Sequence, residues 1–302
     1  MKRLLTLTAM LALACHQEKP APPAAPAYPA AELAKYRSER VERLRRDDSW
    51  LTLVGLHWLK EGPNTFGSGE KNAIRMPAKA PATLGRLVLA NGKVTLEPAG
   101  EGMTIGGKPV TGPTALVPDV EEGGPTVVDA GFIRFHVIKR SDKFGLRVKD
   151  RQSEALTTFK GLDYFPTDPK WRVEAHLERY NPPKQVPITN IVGQTSPSPS
   201  PGALVFTVDG KEYRLDPIVE EGSDELFIIF ADQTSGRETY GGGRYLYAKM
   251  PGADGKVVVD FNKAYNPPCV FTPYATCPLP PLQNRLAVRV EAGEKSYAGK
   301  HA

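Results

Sequence analysis

Turn-forming residues set the tightest limit on what this chain can fold into. Glycine occurs 28 times and proline 29 times among 302 residues, well above a combined average of roughly 12%, and without a collagen-like period. Glu61-Gly62-Pro63-Asn64, Asn91-Gly92, Gly106-Gly107 and Gly123-Gly124 punctuate the first half. Between them, residues 85–89, 93–97, 131–139 and 144–148 have strand character. Short strands between frequent turns predict a sandwich or barrel and exclude a long helical bundle.

One helix precedes them. Residues 31–48 place Leu33, Tyr36 or Arg37, Val41 and Leu44 on one narrow apolar stripe, with charge on the other faces. Glu39 with Arg43 and Glu42 with Arg46 have the spacing of weak surface ion pairs, so this basic run reads as a solvated face. Residues 50–59, WLTLVGLHWL, follow as a buried strand or irregular segment.

The interval QTSPSPSPG, residues 194–202, predicts a boundary between two β-rich units, 31–193 and 202–295, the first sandwich-like, or else a long edge loop within one unit. In the second, residues 203–208 and 212–215 form a hairpin through Asp209-Gly210. Residues 225–231, 244–249, 256–261 and 285–291 add further strands. The fold class is therefore mainly β.

Ahead of the helix, Met1-Lys2-Arg3 and the apolar run to Ala14 are too short to span a bilayer, which takes about 20 residues, but suit a signal peptide over residues 1–14. Leu11-Ala12-Leu13-Ala14-Cys15 resembles a bacterial lipoprotein signal, with the leucine one place further from the cysteine than usual. The resemblance implies lipidation of Cys15, anchorage to the membrane and an extracytoplasmic location at the cell envelope; His16 rather than aspartate after it points to the outer membrane of a diderm. Residues 15–30, rich in proline and alanine, read as a tether. Removing residues 1–14 lowers the net charge from +5 to +3, with no concentrated basic face, which argues against a nucleic-acid partner.

Three polar strings in the C-terminal half lack a core explanation: DQTSGRETYGGGR (232–244), DFNKAYNPPC (260–269) and FTPYATCPLPPLQN (271–284). With the opening YRSERVERLRRDDSWLTLVGLHWLKEGPNTFGS they resemble the bacterial domain-of-unknown-function family numbered 1684, over about residues 36–295. That resemblance implies a grouping and no reaction. The first unit also resembles the forkhead-associated sandwich through its Asn64–Ser68 turn and Asn72-Ala73-Ile74 segment. Serine at position 68 replaces that family's arginine, so phosphothreonine binding does not carry over.

The strings supply the candidate residues. Gly241-Gly242-Gly243 could let backbone N–H groups approach an anion, beside Arg237, Glu238, Tyr240 and Arg244; the alternative is a tight turn with Glu238 or Asp232 paired to Arg244. Asp260, Asn262, Asn266 and Tyr274 complete the ligand-binding set. With Cys15 lipidated, two cysteines remain in an oxidising compartment, so a Cys269–Cys277 disulfide is the simplest reading, with a metal site or a nucleophilic thiol as alternatives. No metal ligand set or cofactor is predicted, and His57, His136 and His176 sit in apolar settings suited to structural roles. The leading expectation is a protein binding a small polar or anionic ligand. The alternatives are a hydrolase using Glu238 or Asp260 with Arg244, and a purely structural envelope protein.

Overall fold

The structure, a computed structural model, describes residues 27–301. The signal peptide, Cys15 and most of the expected tether lie outside the described residues. The protein is mainly β, with one N-terminal helix, α1, over Ala30–Arg45. Among the described residues no helix is long and apolar enough to cross a membrane.

Helix α1 buries Leu33, Arg40 and Leu44. Two of these belong to the expected apolar stripe. Arg40 does not, and its burial corrects the reading of the basic residues as one solvated face: its guanidinium is drawn inward by Glu294. The helix stops at Arg45 and Arg46 is extended, at φ −67° and ψ 151°. Arg46 therefore pairs with Asp48, at 2.7 Å, and the helix carries a Lys35–Glu39 pair at 3.8 Å, rather than the expected Glu39–Arg43 and Glu42–Arg46 pairs.

The first unit is a sandwich. One sheet orders strands Leu53–Trp58, Lys143–Asp150, Ile133–Arg140, Val128–Ala130, Met103–Ile105 and Lys108–Pro109. The other orders Ile74–Arg75, Gly62–Gly67, Gly85–Ala90, Lys93–Pro98 and Thr114–Leu116. Phe66, Leu87 and Leu96 of one sheet meet Phe135, Leu146 and Val148 of the other in a shared core. The alternation that points these apolar residues inward sends their neighbours outward. Register sets His136 opposite Arg147 and Arg134 opposite Lys149. The sandwich thus turns a row of bases toward the rest of the molecule.

The second unit has a four-stranded sheet, in the order Lys211–Leu215, Thr195–Val208, Arg172–Thr189 and Lys256–Asp260. A three-stranded sheet orders Ile218–Val219, Glu225–Phe230 and Arg244–Lys249. Trp171, Phe206, Ile228, Phe230 and Phe261 lie in the core between them. Two expectations need correction here. The interval 194–202 is no linker, because strand Thr195–Val208 runs through it, paired with Arg172–Thr189 in one long hairpin. Residues 285–291 form no strand beyond a bridge at Arg285; the carbonyl of Val290 is taken by a buried arginine instead.

Candidate functional site

The cysteines define the first wall of the main cavity. Cys269 and Cys277 are joined by a disulfide, with Cα atoms 6.2 Å apart. The long hairpin holds this loop from outside: Ile191 N–H donates to the Cys277 carbonyl at 2.9 Å, and Leu279 N–H donates to the Thr189 carbonyl at 2.8 Å. Beside the loop opens a cavity of about 640 Å³. Its other walls come from α1, from Trp50, from the outer face of the sandwich and from the three-stranded sheet.

The three-stranded sheet contributes an aromatic wall. Cross-strand register sets Phe227 opposite Tyr247, with Tyr245 two residues before it on the same face. The Phe227 and Tyr247 rings stack at 4.8 Å, and Tyr247 lies within 12° of parallel to Tyr265 at 6.3 Å. Three tyrosine hydroxyls around the cavity are already committed. Tyr245 donates to the Pro278 carbonyl at 2.7 Å, Tyr247 to Glu220 at 2.9 Å, and Tyr36 of α1 to the Lys263 carbonyl at 2.9 Å. Burial raises the pKa of Tyr245, Tyr247 and Tyr265 and pushes Tyr36 up to about 12. These groups therefore remain neutral, and the tyrosines offer mainly ring surface to the cavity.

The remaining lining is basic. Arg40 is matched by Glu294, through Nε at 3.0 Å, and donates through Nη2 to the Asn266 carbonyl at 2.9 Å. Arg140 is matched by Asp119 in a two-pronged pair at 3.0 and 2.8 Å. Arg147 is different. It is 7% exposed, and it has no carboxylate within salt-bridge distance among the described residues. Nη2 reaches only the Thr276 hydroxyl, at 3.3 Å, and the buried Nε has no partner. The guanidinium stands 5.3 Å from the centre of the Trp50 ring. Burial first, and then the charge of Arg140, push its pKa down to about 10. It remains charged at neutral pH, as a buried cation without an anion.

The residues expected from the polar strings lie elsewhere. Arg244 is fully buried, pairs with Asp232 at 2.8 Å and donates to the Val290 carbonyl at 2.9 Å and the Ala292 carbonyl. Burial lowers its pKa. Glu238 pairs with Arg289 at 2.5 Å, Arg237 is exposed, and Tyr240 packs beside the cluster of Leu44, Leu51 and Phe271. Asp260 accepts from Tyr28 at 3.0 Å and from the Asn262 backbone at 3.1 Å. Asn262 donates to the Asp168 carbonyl at 3.0 Å and Asn266 to the Lys295 carbonyl at 2.7 Å. The Tyr274 N–H donates to Thr272 at 3.2 Å. None of these eight residues lines the main cavity, whereas Cys277 does. The glycine run serves packing: a Cβ at Gly243 would strike the Phe230 carbonyl, and one at Gly242 the Tyr240 ring. Gly241 borders a smaller cavity of about 200 Å³, with Asp232, Ser235 and Arg285.

Of the histidines, His136 is buried opposite Arg147, His57 is half-buried and His176 is exposed. Among the described residues no three His, Cys, Asp or Glu side chains form a metal-binding group. Arg147, Thr276 and the Tyr245–Tyr247 pair escaped the sequence reading. The one signal was alternation: Tyr-x-Tyr at 245–247 places two side chains of the cavity wall on one strand face.

The molecule so described is a mainly β protein with an aromatic- and arginine-lined cavity. Residues 157–295 match the model of a family described as a protein of unknown function (DUF1684). The chain is 34% identical to an uncharacterized protein of Haloarcula marismortui solved by solution NMR, covering 47% of this chain and 80% of that one, with a TM-score of 0.40. It is also similar, at 17% identity and a TM-score of 0.22, to an FHA domain studied for phosphothreonine-dependent interactions, covering 31% of this chain and 92% of that one. No curated protein matches the chain.

Proposed function

We propose that this protein binds a small anionic ligand in the cavity beside the disulfide loop. The observation that carries the proposal is Arg147, a largely buried guanidinium with no carboxylate within salt-bridge distance among the described residues, lining a cavity of about 640 Å³. Burying an ion without a partner is costly. A bound carboxylate or phosphate would offset that cost, because guanidinium matches either geometry with parallel hydrogen bonds. The cavity volume lies in the range usual for small-molecule sites, about 300–1,000 Å³. The lipoprotein-like signal at Cys15 supports a place at the cell envelope, where the ligand would be met outside the cytoplasm.

Calorimetric titration of the mature protein with inorganic phosphate, citrate and naphthalene carboxylate tests the binding. At least one anion is expected to bind, and Arg147→Met to weaken it tenfold or more. No binding by any of them, or equal binding by the variant, would overturn the proposal. Incorporation of labelled fatty acid into the full chain but not into Cys15→Ala tests the anchor; no label in either would overturn it.

A further inference from the structure

Within that reading, which this inference rests on, we infer that the ligand is a one-headed aromatic acid: a single carboxylate or phosphate on a planar ring system. Few polar groups in the cavity are uncommitted. Arg40 and Arg140 are neutralised by Glu294 and Asp119. Three tyrosine hydroxyls donate to protein acceptors. Glu220 is occupied by Tyr247. The open positive charge is therefore confined to Arg147, beside the Thr276 hydroxyl, and to Arg43, which is exposed on α1 and has no ion pair among the described residues.

That distribution suits some ligands and not others. A sugar or other polyol needs donors and acceptors around its whole perimeter. A polycarboxylate needs several separate cations. Here the polar contacts are confined, and the aromatic wall of Phe227, Tyr245, Tyr247 and Tyr265 presents ring surface. Two of those rings, Tyr247 and Tyr265, lie within 12° of parallel. Tyr247 remains 36% exposed although it is a large aromatic residue. A run of near-parallel rings, Phe227, Tyr247 and Tyr265, of which Tyr247 is the most exposed, favours a flat partner that extends the stack, since aromatic pairs gain from offset stacking beyond the area they bury. An aliphatic acid would use the charge but not the orientation of the rings.

Matched probes separate the two requirements in calorimetric titrations of the mature protein. Naphthalene carboxylate should bind at least threefold tighter than decalin carboxylate, its saturated counterpart, and at least tenfold tighter than neutral naphthylmethanol. Tyr247→Leu should erase the preference over decalin carboxylate, while Tyr247→Phe should retain it, because the hydroxyl points to Glu220. Naphthyl phosphate identifies the head group: whichever of the two naphthyl anions binds more tightly names the natural head, and either ranking supports the inference. Decalin carboxylate binding as tightly as naphthalene carboxylate, with both dependent on Arg147, would overturn the aromatic class and leave anion binding intact. Inorganic phosphate binding as tightly as naphthyl phosphate would do the same. Failure of every anion would overturn both readings together.

Discussion

Arg147 and Arg244 are both buried, in opposite surroundings. Arg244 has Asp232 and a set of backbone carbonyls. Removing one member of a buried pair leaves the other charge uncompensated, at a cost of about 3–5 kcal/mol. Arg244→Met should therefore lower the stability measured by urea unfolding by that amount. Arg147→Met removes a charge that has no partner to strand, so its urea midpoint should stay level or rise even as anion binding is lost. A large loss of stability in Arg147→Met would mark it as a structural residue. His136 adds a pH dependence. Burial first, then the neighbouring Lys149, Arg147 and Arg140, against Asp119, push its pKa down to about 4 from the ordinary 6.5. The unfolded chain then binds more protons than the folded one between those values, so stability falls as pH drops through that window. The fall is on the order of 3 kcal/mol at 1.36 kcal/mol per unit, and this residue contributes no further change below about pH 4. Urea midpoints at pH 7 and pH 4 should differ less in His136→Gln than in the wild type.

At the level of elements, the long hairpin and the disulfide loop act together. The hairpin buries Val186 and Ile188 against Ala275 and Cys277. A disulfide closing so short a loop contributes about 2–3 kcal/mol. Reduction with excess dithiothreitol, which leaves two protein thiols and the oxidised reagent, should lower the melting temperature and weaken anion binding, since Thr276 and Cys277 both line the cavity. A thiol count of two before any reductant is added would contradict the pairing. The hairpin also shows where sequence legibility ends. Prolines 197, 199 and 201 resemble a linker by composition, yet they recur at every second position, which is the strand period. Each missing N–H falls on the same side of the strand, and proline is tolerated there on an edge. Gln185 faces Pro199 and Pro187 faces Pro197, so the ribbon forms despite its composition. Strands between clear turn signals, such as Lys93–Pro98 and Arg244–Lys249, were legible because their turns and apolar residues lie close in sequence. The site was not legible, because its parts meet only through tertiary packing. Arg147 reads as an ordinary surface base of a sheet until the second unit covers it.

Across the whole molecule, the cavity lies where the sandwich, the helix and the second unit meet. Tyr36 and Arg43 come from residues 30–45, Arg147 from the sandwich, and Tyr247 and Thr276 from the C-terminal part. The charge and the ring surface thus have separate sources. Residues 157–295, the segment that matches the family, contain the aromatic wall and the disulfide loop but not Arg147. A fragment cut to those bounds would carry only part of the cavity lining. On the proposed binding, the N-terminal part would chiefly set the head group through Arg147 and the C-terminal part the surface beneath the body. In a folded chimera that exchanges residues 27–150 for the corresponding part of a relative, the accepted anion should change while the preference for planar rings stays. Among relatives with this architecture, a shared C-terminal signature would therefore be compatible with different ligands.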